Sequence, residues 1–356
     1  MGQSNQSVRH DKPTLCFLLT CALSAFSMLL STIVPICVNL PQRHIVAFFN
    51  HSIGQRYKTI SANKSWDLGD EENDDLLYNS PVTDDYMSSL LGLANGIPFL
   101  GAAVASFWAN IPLDKLGRRF TLFYIQTALC ASANFVCAAS RHLFNCLELY
   151  IAGRTMNGVA TGIAISAFSV YSTEIALPRH RALAGSFLGV ISVPLFVIAS
   201  TLSTEFGLGT HQNWHYLHVF VAVLSCVALV TGFIVPESPR YSYSNKDNRL
   251  VAARDLRNLH GSECNVQDIF DAYESELHQS KPGSLSNWSA IFAQRHLRMG
   301  FIVGILGAAG RSFCGAEIYF IYSAELFRGS LGMDTVQLEL LVIGTLTMQV
   351  RFLDIN

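Results

Sequence analysis

Long apolar runs separated by short polar connections organise this chain. A helix needs about 20 mostly apolar residues to cross a bilayer. Runs of that kind extend from Thr14 to Val38, Tyr86 to Asn110, Phe120 to Ser140 and Cys146 to Tyr171. Others extend from Ala182 to Thr204, Tyr216 to Val235, Met299 to Tyr322 and, shorter, Val336 to Phe352. The pattern predicts an all-α integral membrane protein with about eight spans. Thr14–Val38 is too long, and too poorly flanked by small residues, for a cleaved signal peptide, so it reads as the first span. Residues 236–298 are polar, but Leu250, Ala253, Leu256 and Leu259, then Ile269, Tyr273 and Leu277, recur at helical spacing. They predict a compact helical insert. The division is therefore an amino terminus over 1–13, a six-helix half over 14–235 with a loop at 39–85, the insert at 236–298, and about two helices over 299–356.

Composition agrees. Half of the 356 residues are hydrophobic and 14% are charged, where a soluble domain has about 25% charged residues. A net charge of −2 offers no basic field for nucleic acid. The nine cysteines fall mostly inside apolar runs and form no CxxC pair, so they read as buried free thiols. Lysine and arginine cluster at the amino terminus, between spans two and three, between four and five, and after span six. The 39–85 loop carries eight acidic residues from Asp67 to Asp85. The positive-inside rule then places the amino terminus in the cytoplasm. The plasma membrane is the expected location, though charge does not distinguish it from an internal membrane. Asn50-His51-Ser52 and Asn63-Lys64-Ser65 become outward-facing glycosylation signals, while Asn5 and Asn287 face the cytoplasm.

Several motifs carry chemistry. Asp114-Lys115-Leu116-Gly117-Arg118-Arg119 is a basic turn between two spans, its glycine permitting a bend and its guanidinium groups suited to carboxylates and helix-end carbonyls. Gly92…Gly96 and Gly158…Gly162 have the spacing that lets membrane helices approach closely. Pro98 and Pro194 interrupt their spans, which is tolerated where the freed backbone is buried or lines a cavity. His211, His215 and His218 have near-helical spacing, but only Glu205 lies nearby as a further ligand, so no metal site is assigned. No nucleophile elbow, phosphate loop or zincin motif is present, and no enzyme activity or cofactor is called for.

In this order the motifs resemble the sugar porter branch of the major facilitator superfamily, which includes the facilitative glucose transporters. The resemblance rests on Asn39-Leu40-Pro41-Gln42, Asp114–Arg119, Gly153-Arg154 with Gly158 and Gly162, and Glu174 with Arg181. Pro236-Glu237-Ser238-Pro239-Arg240-Tyr241 and Tyr319-Phe320-Ile321-Tyr322-Ser323 with Phe327 complete it. It implies a major facilitator fold, represented by the first six-helix bundle, a cytoplasmic helical insert and two helices of the second bundle. It implies alternating-access transport of a small polar solute across the lipid bilayer. It also implies a conformational-switch network of Asp114, Arg118, Arg119, Arg154, Glu174, Arg181, Glu237 and Arg240 at the inner face. The blander reading of those charges is topology signals and solvated surface.

Departures from the family accompany the matches. Gly189, Arg311, Ser312 and Glu317 stand where the resemblance puts the amide side chains of the sugar pocket. An arginine and a glutamate there suit a charged or zwitterionic solute better than glucose, unless they neutralise one another. The family has twelve helices, and no second copy of the Gly-Arg-Arg turn follows, so the chain reads as a truncated form from which transport alone is not expected. A non-transporting sensor, or a regulatory partner of a full-length relative, is the alternative.

Overall fold

The computed structural model describes residues 13–62, 84–244, 248–261, 264–279, 292, 295–332 and 336–344, and among them every regular element is helical. Helix α1 (Leu15–Thr32) starts where the Thr14 hydroxyl accepts from the Phe17 amide at 3.2 Å, an N-cap that satisfies one free donor. It continues past Ile33 into α2 (Val34–Asn39), whose proline sits in the first turn, where a missing N–H costs nothing. Together Leu15–Asn39 makes a 25-residue apolar span.

The expected 39–85 loop opens instead with a 21-residue helix, α3 (Gln42–Ala62). Its cause was present in the sequence: Ile45, Phe48, Phe49 and Ser52 fall at i, i+3, i+4 and i+7, and all four are buried. The remainder of that loop lies outside the described residues.

Next come α4 (Asp84–Trp108), α5 (Asn110–Leu116) and the short α6 (Arg118–Phe120). A π turn over Thr121–Ile125 leads into α7 (Gln126–Ala139), and a second over Ser140–Phe144 closes it. Helix α8 (Leu147–Ile175) has 29 residues, and α9 (Arg181–Leu202) and α10 (His215–Thr231) complete the first bundle. Tyr86–Trp108, Arg118–Leu143 and Pro178–Leu202 are, with the first span, long and apolar enough to cross a membrane. Helix α8 is long enough too, but Glu148, Arg154, Asn157 and Glu174 make it more polar.

Close packing is concentrated where α8 meets α4. A Cβ on Gly158 would lie 2.1 Å from the Pro98 carbonyl oxygen, and one on Gly162 would lie 2.2 Å from that of Ala102. The second small-residue pair behaves differently: neither Gly92 nor Gly96 has a neighbour within 4 Å of such a Cβ. Helices α1, α7 and α10 join α8 around one core.

The insert contains α11 (Pro239–Ser244), α12 (Arg249–His260) and α13 (Val266–Gln279). Tyr243, Ala252, Leu256 and Phe270 form its own small core, with Ile269 and Tyr273 against it. The buried face of α12 is thus Ala252, Leu256 and Leu259, whereas Leu250 is exposed, one turn position off the face expected from spacing. The seventh run, expected as one helix, is two: α14 (Arg295–Phe313) and α15 (Ala316–Leu331). Gly315, at φ 75°, makes the break.

Residues from separate helix ends and connections gather in two places. One, the basic end, holds Arg118, Arg119, Glu174 and Glu237. The other, the histidine end, holds His51, His142, His211 and His215.

Candidate functional site

At the basic end the chain turns sharply at Gly117, whose φ of 108° and ψ of 164° belong to a region that only glycine adopts without strain. Glycine has no side chain to cap α6, so a carboxylate from elsewhere does so. One Glu237 oxygen accepts from the Arg118 amide at 3.0 Å, the Arg119 amide at 2.9 Å and the Ser238 amide at 3.0 Å. A helix N-terminus suits an anion. A Cβ on Gly117 would sit 2.5 Å from the other Glu237 oxygen, so the turn and the carboxylate fit only together. Burial pushes the Glu237 carboxyl up, and the three amides oppose it.

The two guanidinium groups then spread in different directions. Arg118 grips Glu174 at the end of α8 with two bonds of 3.0 and 3.1 Å. It donates to the Leu113 carbonyl at 3.1 Å, reaches Asp114 at 3.5 Å and lies 4.8 Å over the Tyr241 ring. Arg119 donates at 2.8 Å to the carbonyl of Gly232, which ends α10. Ser238 links the pieces, donating to Glu174 at 2.5 Å while capping α11 through the Tyr241 amide at 3.2 Å.

The Arg118–Glu174 pair is shielded, with side chains 14% and 10% exposed. Removing one member of such a pair leaves an uncompensated charge and costs about 3–5 kcal/mol. The Asp114 side chain is 67% exposed, and its contact is worth about 0–1 kcal/mol. The insert docks on this end: the Thr14 hydroxyl donates to the Leu259 carbonyl, and His260 bonds the Ile175 carbonyl at 3.0 Å.

Asp114, Arg118, Arg119, Glu174 and Glu237 are therefore brought together. Arg181 and Arg240 stand at the same end, exposed at the starts of α9 and α11. Arg154 is not part of the cluster. It precedes Glu174 by 20 positions on α8, about 30 Å along a helix. Buried to 1% exposure, it donates to the Ala94 carbonyl at 3.4 Å and to Asn95 Oδ1 at 3.3 Å. Ala94 is four residues before Pro98, which has no N–H to offer, so Arg154 serves the carbonyl that the proline frees.

At the histidine end the first bundle meets α15. Asn39 Nδ2 donates to Ser323 Oγ at 2.7 Å, the Ala324 amide donates to Asn39 Oδ1 at 3.3 Å, and Gln42 Nε2 donates to the Ile321 carbonyl at 2.8 Å. Asn39, Gln42 and Ser323 are all buried. In the sequence these residues stand out only as motif matches, and the available signal is the pair of polar amides that closes an apolar span. Of the three histidines near α10, His211 and His215 line one cavity while His218 does not join them. His218 is fully buried and bonds Asn134 at 3.1 Å, and His211 lies against His44. Among the described residues no group of three or more His, Cys, Asp or Glu side chains is placed to hold a metal ion.

The expected pocket positions distribute over three helices. Gly189 is half-buried on α9, where its carbonyl accepts from Ser192 at 2.9 Å. Arg311 and Ser312 occupy the last turn of α14, the Ser312 hydroxyl donating to the Ala308 carbonyl at 3.2 Å. Glu317 opens α15 beyond the break at Gly315. Arginine and glutamate thus flank a helix break instead of sharing one continuous helix; their side chains lie outside the described residues.

Comparisons with known proteins agree with this geometry. A family model described as "Sugar (and other) transporter" matches residues 23–354. The chain is 26% identical over 311 residues to pig (Sus scrofa) solute carrier family 2, facilitated glucose transporter member 2, covering 82% of this chain and 57% of that protein. To the glucose transporter GlcP of Staphylococcus epidermidis it is 27% identical over 282 residues, covering 79% and 58%. It thus spans somewhat over half the length of these relatives. In structure it is similar to the major facilitator proton:xylose symporter XylE bound to 6-bromo-6-deoxy-D-glucose, with a TM-score of 0.69 at 17% identity over 95% of this chain and 68% of that one. The inward-open XylE from E. coli gives 0.65 at 14% identity, covering 95% and 67%. The fold is that of the major facilitators, and the protein is a multi-pass membrane protein. With a family match running through the Gly117 turn, the Arg118–Glu174 pair and the Glu237 cap, the chain belongs to the sugar (and other) transporter family.

Proposed function

We propose that this chain forms the first half, the linking insert and the opening helices of the second half of a carrier for a small polar solute, a sugar or a charged relative of one, working by alternating access. Its relatives are named as transporters, which are carriers and not enzymes. The observation that carries the proposal is the Gly117–Glu237–Arg118–Glu174 assembly. It fastens α5, α6, α8 and α11 at one end, while Asn39 fastens α2, and Gln42 the start of α3, to α15 at the other. Ties at opposite ends are what two rocking bundles would release in turn.

Loop charge supports a cytoplasmic amino terminus with the basic end inside, and the plasma membrane is the location proposed with it. Asn50 and Asn63 would then face outward and accept glycans. The Ser52 hydroxyl of the first signal is engaged within the fold, donating to the Asn145 carbonyl at 2.9 Å and accepting from the Leu147 amide at 3.2 Å. Transfer to Asn50 would therefore precede docking of α3. The switch residues would be Asp114, Arg118, Arg119, Glu174 and Glu237, with Arg181 and Arg240 beside them. Gly189, Arg311, Ser312 and Glu317 would face the solute.

Counterflow of labelled solutes into proteoliposomes tests the reading, using the chain alone and fused to the second half of the pig relative. We expect exchange of a sugar or a charged analogue by the fusion, reduced in Arg118→Gln and Glu174→Gln at equal membrane content. Normal exchange by both variants would remove the network from the mechanism, and no exchange of any solute would favour a non-transporting role. Deglycosylation should shift the mobility of the wild type, and less so that of Asn50→Gln or Asn63→Gln. A glycan on Asn287 would invert the orientation.

A further inference from the structure

At the histidine end a cavity of about 440 Å³ opens between α3, the π turn that closes α7, the loop before α10 and the start of α10. Its polar lining includes His51, Arg141, His142, His211, Gln212 and His215, and no carboxylate is among the described lining residues. His215 decides what the cavity is for. It is 6% exposed, yet neither ring nitrogen has a hydrogen-bond partner. A buried polar group without a partner is costly, and so calls for a ligand or ordered water. His215 is also the first residue of the 17-residue α10, where free amides and the helix dipole present positive charge.

The neighbours repeat that sign. His142 stacks on His215 with ring centroids 5.5 Å apart and planes at 20°. Arg141 lies 5.9 Å over the Phe48 ring, and no carboxylate pairs with it among the described residues. A stacked imidazole pair turns its faces, not its lone pairs, toward each other, so it does not chelate a metal. An anion with several acceptor oxygens could take hydrogen bonds from Arg141 and from protonated imidazoles at once. Titratable or charged groups on the surrounding elements include Arg43, His44 and His51 from α3, Arg141 and His142 from the π turn, Glu205 and His211 from the loop, Glu148 and Arg154 from α8, and His215 and His218 from α10. Glu205 lines a separate cavity with Arg43, His44 and Arg328. Glu148 accepts from the Cys146 thiol at 3.1 Å, and His218 faces Asn134.

We propose that this cavity binds a small oxyanion, free or as the headgroup of an anionic lipid, and binds it more tightly as its histidines protonate. The inference stands apart from the transport reading, since it needs neither a solute pathway nor a second half. An unperturbed histidine gains its charge near pH 6.5, but burial first, and then His142 and Arg141 beside it, hold His215 below that value. An anion seated there favours the charged form, so affinity should rise as pH falls toward about 6 and below.

Sulfate is a suitable probe because its charge is constant there. Thermal unfolding of the detergent-solubilised full chain should show saturable stabilisation by sulfate beyond that of chloride at matched ionic strength, and more at pH 6 than at pH 8. Arg141→Gln and His142→Gln, both outside the core, should each weaken the apparent affinity roughly tenfold or more. Arg249→Gln, at the opposite end, should leave it unchanged. In phosphatidylcholine nanodiscs, competition by added phosphatidylglycerol would identify a lipid headgroup as the occupant, and its absence a free ion. Stabilisation by sulfate equal to that by chloride at both pH values would overturn the proposal. So would an Arg141→Gln/His142→Gln double variant that titrates like the wild type.

Discussion

Single residues at the basic end are specified by backbone geometry as much as by charge. Gly117→Ala would strain a φ of 108° and push a methyl group to 2.5 Å from Glu237, a loss of about 1–3 kcal/mol from backbone strain alone. The thermal midpoint of the purified chain should fall accordingly, and an unchanged midpoint would remove the cap from the account. Asp255 on α12 tests the docking of the insert. Burial, with Glu237 adding, raises its carboxyl from 3.8 to about 6. A raised folded value stabilises the fold at low pH and is lost as pH rises between about 4 and about 6. Asp255→Asn should therefore flatten the stability profile over that window and raise the midpoint at pH 7.5; an unaltered profile would contradict this environment. The Arg118, Glu174 and Glu237 contacts were legible because their motifs lie in three connections that alternate to one side. Arg154 was misplaced, although its 20-residue distance from Glu174 on one helix already forbade a shared end. Its partner was hidden because a carbonyl freed by Pro98 is a backbone group, which no pattern of side chains reveals.

Among elements, equal spacing does not mean equal packing. Gly158…Gly162 and Gly92…Gly96 look alike in sequence, but only the first pair faces another backbone. Gly158→Ala should disrupt the α4–α8 contact, because the obstructing atom is the Pro98 carbonyl and not a side chain that can swing away. Gly96→Ala meets nothing within 4 Å and removes a poor helix former, so it should be neutral or stabilise by a few tenths to about 1 kcal/mol. Thermal midpoints of the two variants in one detergent decide the matter; equal losses would show that the packing argument is wrong. Span positions were readable because membrane helices need long apolar runs. Helix α3 was missed because its mixed outer face obscured a buried Ile45-Phe48-Phe49-Ser52 stripe. The break at Gly315 was missed because hydropathy continues through it.

For the molecule as a whole, the break between α14 and α15 bears on what a complete carrier would accept. Most of α14, including Phe301, Ile302, Val303, Ile305 and Leu306, is exposed, as befits a helix that lipid or further helices must cover. Where such a helix breaks, its free carbonyls and amides are tolerated only beside a cavity or buried in protein. Arg311 stands near the negative end of α14 and Glu317 near the positive end of α15, where each charge is favoured by the local dipole. The pair can therefore serve the break itself; if the two positions face a cavity within the membrane, charged groups there are costly and mark solute or ion paths. A neutral hexose gives them no ionic partner, so glucose exchange by a chain completed with a relative's second half should be weak. Changing Gly189, Arg311 and Ser312 to Gln and Glu317 to Asn should shift selectivity toward hexoses if these positions face the solute. If they serve only the break, the same changes should lower the thermal midpoint and leave the ranking of solutes unaltered. Robust glucose exchange by the unmutated completed chain would sink the pocket argument outright.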